Sequence, residues 1–310
     1  MIEIKQLRTL VAIERGGSLS AAARTLGLSQ PAVSQQVRAL ERSLHTPLLV
    51  RNGRGTDLTA AGRALLRHAT DILDTLSLAE SEVTALGGLR AGNVRVVSFP
   101  SAASTILPAA MSHMAEQHPG IHLTLVEAEP PESLAMLGRG ECDIAIVFQY
   151  STEPEHQAPR TTQTPLLTED MYVALPASHP AAGDDRVDLA MLGGDRWVAG
   201  CPRCRQCLVH LCAEAGFTPD IAFTTDDHVT LQCLAARGFG VSLITELMLA
   251  VVTIDGLSLR AFTPDAKRLV SAVSTRGFSQ VPAIRQTLES LSAAALAFQQ
   301  GRPDRAISIS

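Results

Sequence analysis

Along the first sixty residues, apolar side chains return every three or four positions, in short runs broken by glycine and serine. Leu7, Leu10, Val11 and Ile13 form one run that stops at Gly16-Gly17, which predicts a helix closed by glycine. Ser18 stands where an N-cap is needed for a second helix that ends at Gly27. Ser29, with Pro31 two residues on, opens a third, whose inward stripe is Val33, Val37 and Leu40. The short, glycine-containing connection GLSQ between helices two and three is the mark of a helix-turn-helix.

From Thr59 to about Leu86 no proline interrupts the chain. Gly62, Leu65, Ala69, Ile72, Leu76, Ala79, Val83 and Leu86 alternate steps of three and four, predicting a coiled-coil seam that pairs two copies of one long helix. GGLRAG ends it, and the pattern changes. NVRVVSF, IHLTLVEA and DIAIVF read as strands with helices STILPAAMSHMAEQHPG and PESLAMLGRG between them, a βαβαβ order with right-handed crossovers. Strands LLTEDMYVALP, RWVAG, IAFTT and GVSLIT follow, with helices LVHLCAEAG and HVTLQCLAARG among them. LVSAVST and VPAIRQTLESLSAAALAFQQ then read as a strand and a closing helix that return to the first set. The expected fold class is α/β with an all-α N-terminal part.

Composition adds little except through its distribution. At 310 residues with 46% hydrophobic and 18% charged content, the chain reads as folded and multidomain. Residues 96–115 lack charge, but Pro100, Pro108 and His113 lie inside them, and MIEIKQLRTL offers no signal peptide. The expected partners therefore include no membrane, and the expected compartment is the cytoplasm. The net charge of −5 conceals an asymmetry: residues 1–68 hold ten Lys/Arg against four Asp/Glu, leaving 16 and 27 for the rest. A basic head on an acidic body suits a protein of which one part approaches phosphates.

On the third helix, Gln30, Ser34, Gln35 and Arg38 lie opposite the apolar stripe, with Ser29 and Pro31 at its start. A helix presented this way reaches base edges in a major groove about 12 Å wide. Arg51 and Arg54, around the turn-rich NGRG, suit a wing on the DNA backbone. Pairing two heads through the long helix doubles the phosphate contacts and makes binding strongly salt-dependent.

The residues GSLSAAARTLGLSQPAVSQQVRALERSL (17–44), PLLVR (47–51) and LTAAGRALL (58–66) closely resemble the LysR-type transcriptional regulators. The likeness continues more weakly through LPAAMSHMAEQHPGIHLTLVE, LGRGECDIAIV, SHPAA and CLAARGFGVSLIT. The resemblance implies a winged helix-turn-helix at 1–58, a linker and dimerisation helix at 59–88, an effector-binding domain at 89–300 and a tail at 301–310. That domain would be two α/β lobes in the manner of a periplasmic binding protein, 93–164 with 267–300, and 165–266. It further implies a homotetramer built as a dimer of dimers on an interrupted inverted repeat near a promoter. RNA polymerase is a further candidate partner.

In such a body, strand ends and helix N-termini line the cleft between lobes and attract anions, so a small, anionic effector is expected. Ser98, Pro100 and Ser101, with Phe148 and Gln149, form one expected wall, and Cys201, Pro202 and Arg203 the other. Ser101 falls where the resemblance implies effector contact, although Ser101 and Ser104 equally suit N-capping. A solute-binding or catalytic α/β protein with a helical head is the competing class. It would need a catalytic constellation, and no nucleophile elbow, P-loop or G-x-G-x-x-G occurs. No enzyme activity and no cofactor are expected.

GCPRCRQCLVHLC, residues 200–212, holds four of the six cysteines. Cys201, Cys204, Cys207 and His210 step by three like a zinc quartet, but the outer pair of a helix stands about 13.5 Å apart, too far to share one ion, and no metal is expected. A three-residue helical step instead brings Cα atoms to about 5 Å, inside the disulfide window, and a helix N-terminus favours thiolate. On this redox reading Cys201 is the nucleophile and Cys204 its nearest resolving partner. Peroxide-sensing LysR members carry a cysteine pair here, which Cys201 with Cys212 resembles at an interval two residues longer. On the other reading Cys207, Cys212 and Cys233 are small buried hydrophobes and Cys201 to Arg203 only edge the cleft.

Overall fold

The structure is a computed structural model that describes residues 2–52, 55–86, 92–153, 161–252 and 254–301. The chain divides into two units, Met1–Gly87 and Gly88–Ser310.

The first unit contains α1 (Ile4–Gly16), α2 (Leu19–Leu26), α3 (Gln30–Leu44), a hairpin of β1 (Leu49–Asn52) and β2 (Gly55–Leu58), and α4 (Ala60–Leu86). The short helices begin and end on local chemistry. The Ser18 hydroxyl accepts from Ala21 N at 3.1 Å and that of Ser29 from Ala32 N at 3.4 Å, while Gly17 and Gly27 take the left-handed backbone that closes α1 and α2. Ala12, Ile13, Ala22, Ala23, Val33 and Val37 form the core between the three helices.

The predicted seam on α4 needs correction. Ala69 is fully buried and packs with Leu65 against Leu7 and Val11 of α1. A methyl group on Gly62 would lie 2.2 Å from the Leu48 carbonyl oxygen. The first turns of α4 therefore cover their own unit, because the outer face of α1 would otherwise stay wet. Ile72, the next position of the predicted seam, is 44% exposed. Arg54, residues 87–91, residues 302–310 and the side chains of Arg51, Val83 and Leu86 fall outside the description.

The second unit opens with β3 (Gly92–Ser98), α5 (Pro100–Ala103), α6 (Ile106–Gln117), β4 (Ile121–Glu127), α7 (Glu132–Gly138) and β5 (Ile144–Tyr150). It continues with β6 (Thr161–Pro176), β7 (Arg186–Asp188), β8 (Arg196–Ala199), α8 (Pro202–Glu214), β9 (Asp220–Thr224), α9 (His228–Ala236) and β10 (Ser242–Thr245). Last come α10 (Glu246–Val251), β11 (Leu257–Thr263), β12 (Lys267–Thr275) and α11 (Pro282–Gln300). Eight strands join one sheet in the order β4-β3-β5-β12-β6-β11-β7, with β10 also on β6. β3 is parallel to β4 and β5, as βαβαβ crossovers require. β12 runs antiparallel to both β5 and β6, so these two long strands carry the sheet from one lobe into the other.

The residue 164/165 position falls inside β6. Val97, Leu137, Ala145, Val147 and Val273 build one lobe's core, and Ala174, Val198, Leu231, Ala235 and Ile244 the other's. Strands β7 and β11 and helix α10 have no counterpart in the sequence reading. α10 is only six residues long and directly continues the apolar run of β10, and β11 does not alternate in burial, so neither offers a clean period. Among the described residues no helix is long and apolar enough to cross a membrane.

Candidate DNA interface and effector cleft

Val33, Val37 and Leu40 hold α3 against the head, and Thr9 Oγ1 of α1 donates to Gln36 Oε1 at 2.5 Å. The opposite face stays open: Gln30, Pro31, Gln35 and Arg38 are exposed and Ser34 half-buried, all lining one concave strip. Ser29 is occupied as the N-cap. Glu41, Arg42 and His45, absent from the sequence reading, extend the strip toward the wing. Glu41 Oε1 accepts from Leu48 N at 2.8 Å and Leu49 N at 3.3 Å, tying the reading helix to the wing's first strand. Thr59 locks the other side, donating to the Pro47 carbonyl at 2.8 Å and accepting from Gly62 N at 3.0 Å.

In the second unit the cleft is organised by a charge pair on neighbouring strands. Arg268 of β12 stands in register with Glu169 of β6, its Nε 2.5 Å from Oε1, and both are buried. The guanidinium lies 4.9 Å from the ring centres of Phe99 and Phe148, and its Nη2 donates to Ser101 Oγ at 3.0 Å. Glu169 Oε2 accepts from Leu247 N at 2.8 Å, so the pair touches both lobes.

Above it lie two chambers of about 20 Å³ each, and such a volume holds a water-sized guest. Pro100, Ser101, Glu129, Cys201, Cys204, Asp226, His228 and Arg268 line the first; Tyr150, Cys204 and Thr245 line the second. Glu129 Oε2, His228 Nε2 and Thr245 Oγ1 are buried with no hydrogen-bond partner among the described residues. Burial, with Asp226 nearby, pushes the Glu129 carboxyl up against the pull of Arg268.

Of the expected wall residues, Pro100, Ser101 and Cys201 line the chamber. Ser98 is buried with its hydroxyl on the Phe99 carbonyl, and Phe148 packs edge-on against Phe99 and Tyr150 beneath Arg268. Gln149 turns away because successive strand residues alternate faces, and its amide reaches the Glu153 carbonyl at 3.4 Å. Pro202 is exposed, and Arg203 pairs with Glu153. Neither Ser101 nor Ser104 is an N-cap: Phe99 holds that position on α5 and Thr105 on α6, while Ser104 closes α5, its Oγ donating to the Pro100 carbonyl.

Sequence periodicity could have found the pair at the floor. Glu169 shares its phase with Leu167, Met171 and Val173, and Arg268 with Val270 and Ala272, so each is a charge on the core side of a strand.

The thiols differ sharply. Cys201 Sγ caps α8, accepting from Cys204 N at 3.4 Å, and the two sulfurs stand 2.7 Å apart. Hydrogen bonding from Cys201, then from the Tyr150 hydroxyl, and the charge of Arg268 hold Cys204 below the usual thiol range. The same contact and burial push Cys201 up. Burial pushes Cys207 and Cys212 up to about 12. Among the described residues no three His, Cys, Asp or Glu side chains converge as a metal site.

A winged helix-turn-helix head and a two-lobed α/β body with a polar cleft define a DNA-binding regulator with a ligand-responsive domain. Residues 4–63 match the bacterial regulatory helix-turn-helix protein, lysR family, and residues 87–295 the LysR substrate binding domain. The chain belongs to the LysR family of transcriptional regulators.

It is 34% identical to the HTH-type transcriptional regulator ShiR of Corynebacterium glutamicum over 251 residues, 79% of this chain and 83% of that one. It is 33% identical to a probable hydrogen peroxide-inducible genes activator of Mycobacterium avium over 255 residues, 78% of each. Among solved structures, a cysteine-to-serine mutant of OxyR from Corynebacterium glutamicum, bound to H2O2, superposes with a TM-score of 0.58 at 27% identity, covering 97% of this chain and 95% of that one.

Proposed function

We propose that this regulator reads promoter DNA through Gln30, Ser34, Gln35 and Arg38 at the exposed start of α3. Ser29 and Pro31 fix that start, and Arg51 and Arg54 of the wing add backbone contacts. It acts in the cytoplasm as a homotetramer, a dimer of dimers on an interrupted inverted repeat, with the seam positions of α4 from Ile72 onward pairing two heads. The supporting observation is the concave strip that gathers these α3 side chains on one exposed face. Duplex binding that weakens steeply with salt, and more than tenfold with Arg38→Ala or Gln30→Ala, tests it. Variants that bind as tightly as wild type would overturn the assignment.

In the cleft, Pro100, Ser101 and Cys201 with Glu129, His228 and Arg268 take a small polar effector. The observation that carries this reading is the pair of buried, unpartnered atoms Glu129 Oε2 and His228 Nε2 on the wall of a chamber of about 20 Å³. Leaving such groups unsatisfied costs about 1–3 kcal/mol each, so a guest that hydrogen-bonds them gains affinity. The expected anionic character is not favoured: the charge of Arg268 is matched by Glu169, and Glu129 and Asp226 add two more carboxyl groups to the wall. An uncharged effector fits better. By preferring one arrangement of the lobes, it shifts the regulator between promoter geometries.

A second reading, favoured by the 2.7 Å approach of Cys201 and Cys204, is that the effector is an oxidant consumed by these thiols. Footprints of the upstream DNA with peroxide, and again after reductant, separate the two. A change that reductant reverses supports thiol chemistry; an indifferent footprint leaves the non-covalent effector.

A further inference from the structure

We propose that Cys204, resolved by Cys201, is the site at which this protein is oxidised by small hydroperoxides, giving a disulfide within the first turn of α8. The inference rests on the thiol reading above and changes its chemistry, since the sequence pointed to Cys201 as nucleophile and to Cys212 as a candidate partner.

Three observations carry it. The sulfurs of Cys201 and Cys204 are 2.7 Å apart, so a bond of about 2.05 Å needs an approach of only roughly 0.7 Å. Cys204 is the thiol that faces the Tyr150 hydroxyl and the Arg268 charge, the two groups able to stabilise a thiolate there. It also lines both chambers, whose volume of about 20 Å³ each, little more than one water needs, favours hydrogen peroxide over any bulkier hydroperoxide. Cys212, by contrast, lies fully buried near the far end of the same helix, about 16 Å along the axis from Cys201, and a bond between them would require α8 to unwind.

The chemistry balances as two steps. The Cys204 thiolate attacks the terminal, hydroxyl oxygen of ROOH, the O–O bond breaks, and the leaving RO⁻ takes up the proton given up when Cys204 ionised, giving ROH and Cys204 sulfenic acid. The Cys201 sulfur then attacks Cys204, the S–O bond breaks, and hydroxide leaves with the Cys201 proton as water. Two electrons pass from the thiol pair to the hydroperoxide. Reaction removes the negative sulfur from beside Arg268 and draws the N-cap of α8 toward Cys204, both at the contact between lobes.

The test is disulfide mapping of the full-length wild-type protein after one equivalent of H2O2 and alkylation. Trypsin cuts after Arg196, Arg203 and Arg205, so Cys204 leaves on a two-residue peptide, and a Cys201–Cys204 bond joins it to the peptide of residues 197–203. That linked pair is the expected result. In Cys201→Ser the sulfenic acid should persist on Cys204 and take up a dimedone label, and Cys212→Ser should oxidise within about twofold of the wild-type rate. Tyr150→Phe should slow alkylation of Cys204 at neutral pH about fivefold, the equivalent of one hydrogen bond, and move its pH profile upward. A Cys201–Cys212 bond, or a first label on Cys201, would overturn this assignment and leave the thiol reading standing. Thiols that all remain reduced would sink both.

Discussion

Gln30, Ser34, Gln35 and Arg38 of the proposed DNA-reading face come from nine consecutive residues of one helix, and most of that surface is open to water. Ser101, Glu129, Glu169, Cys201, Cys204 and Arg268 of the cleft come from five separated segments, and the charged pair at its centre is buried. A site on one exposed face can change without disturbing the fold that carries it. A buried, distributed site is part of the fold, so substitutions there act first on stability. The two regions should therefore answer mutation in different currencies, binding in the head and folding in the body.

The largest effect is expected at the centre of the cleft. Arg268→Ala strands the carboxylate of Glu169 in the interior and should cost about 3–5 kcal/mol, read as a fall in the urea midpoint of the second unit's transition. Glu169→Leu combined with Arg268→Met removes both charges and should recover most of that loss. Cleft substitutions that leave the midpoint in place while DNA binding falls would break the comparison, because the body would then tolerate change as the head does.

This contrast also explains what could be read in advance. The helices of the head are announced by residues within a few positions of each boundary: Ser18, Gly27 and Ser29 act at the ends they mark. The strands of the first lobe follow from runs such as NVRVVSF for the same local reason. The cleft was legible only at SFPSAAS and at Cys201, where the chain itself opens a helix. Glu169 stands out within its own strand as a charge on the core side, but that it meets Arg268 there follows from strand register. Glu129, after β4, and His228, opening α9, reach the cleft through sheet order that no single window of sequence contains. α4 differs in another way, since its spacing suits a seam but Leu65 and Ala69 in its first turns pack against Leu7 and Val11 of their own unit.

Glu41 sharpens the comparison from the head's side, because it is the buried-style contact of an otherwise open face. Its carboxylate receives two backbone N–H groups of the wing, and Glu41→Gln should weaken these charge-assisted bonds by about 1–2 kcal/mol. The expected readout is a several-fold loss of affinity for duplex DNA that is uniform across sequences, since the wing is proposed to touch the backbone. A loss confined to particular bases would instead give Glu41 a direct reading role.

A smaller and pH-dependent effect belongs to Glu129. Burial raises this carboxyl above its ordinary value of 4.5, so the folded state binds its proton more tightly than the unfolded state. The stability it contributes is complete below 4.5 and is lost as pH rises through the raised folded value. Glu129→Gln keeps a neutral side chain at every pH and should gain on wild type between pH 4.5 and neutrality, with no gain at pH 4, in thermal unfolding of the full chain. A difference that is flat with pH would mean that the folded carboxyl ionises as freely as the unfolded one.

The smallest effect falls where head and strain meet. His45 ends α3 with φ of 52°, the only non-glycine residue at positive φ among those described. A left-handed backbone costs an L-residue about 1–2 kcal/mol, while glycine loses roughly 0.5–1 kcal/mol of chain freedom on folding. The two nearly offset, and His45→Gly should stabilise the head by about 0.5 kcal/mol. Slower hydrogen exchange at the Val37 and Leu40 amides would register it, since both sit in the last buried turns of the same helix. DNA affinity should stay within twofold if reading ends at Arg42. Should affinity instead fall tenfold, the imidazole itself meets the duplex, and the strained conformation is retained because it aims that ring along the concave strip.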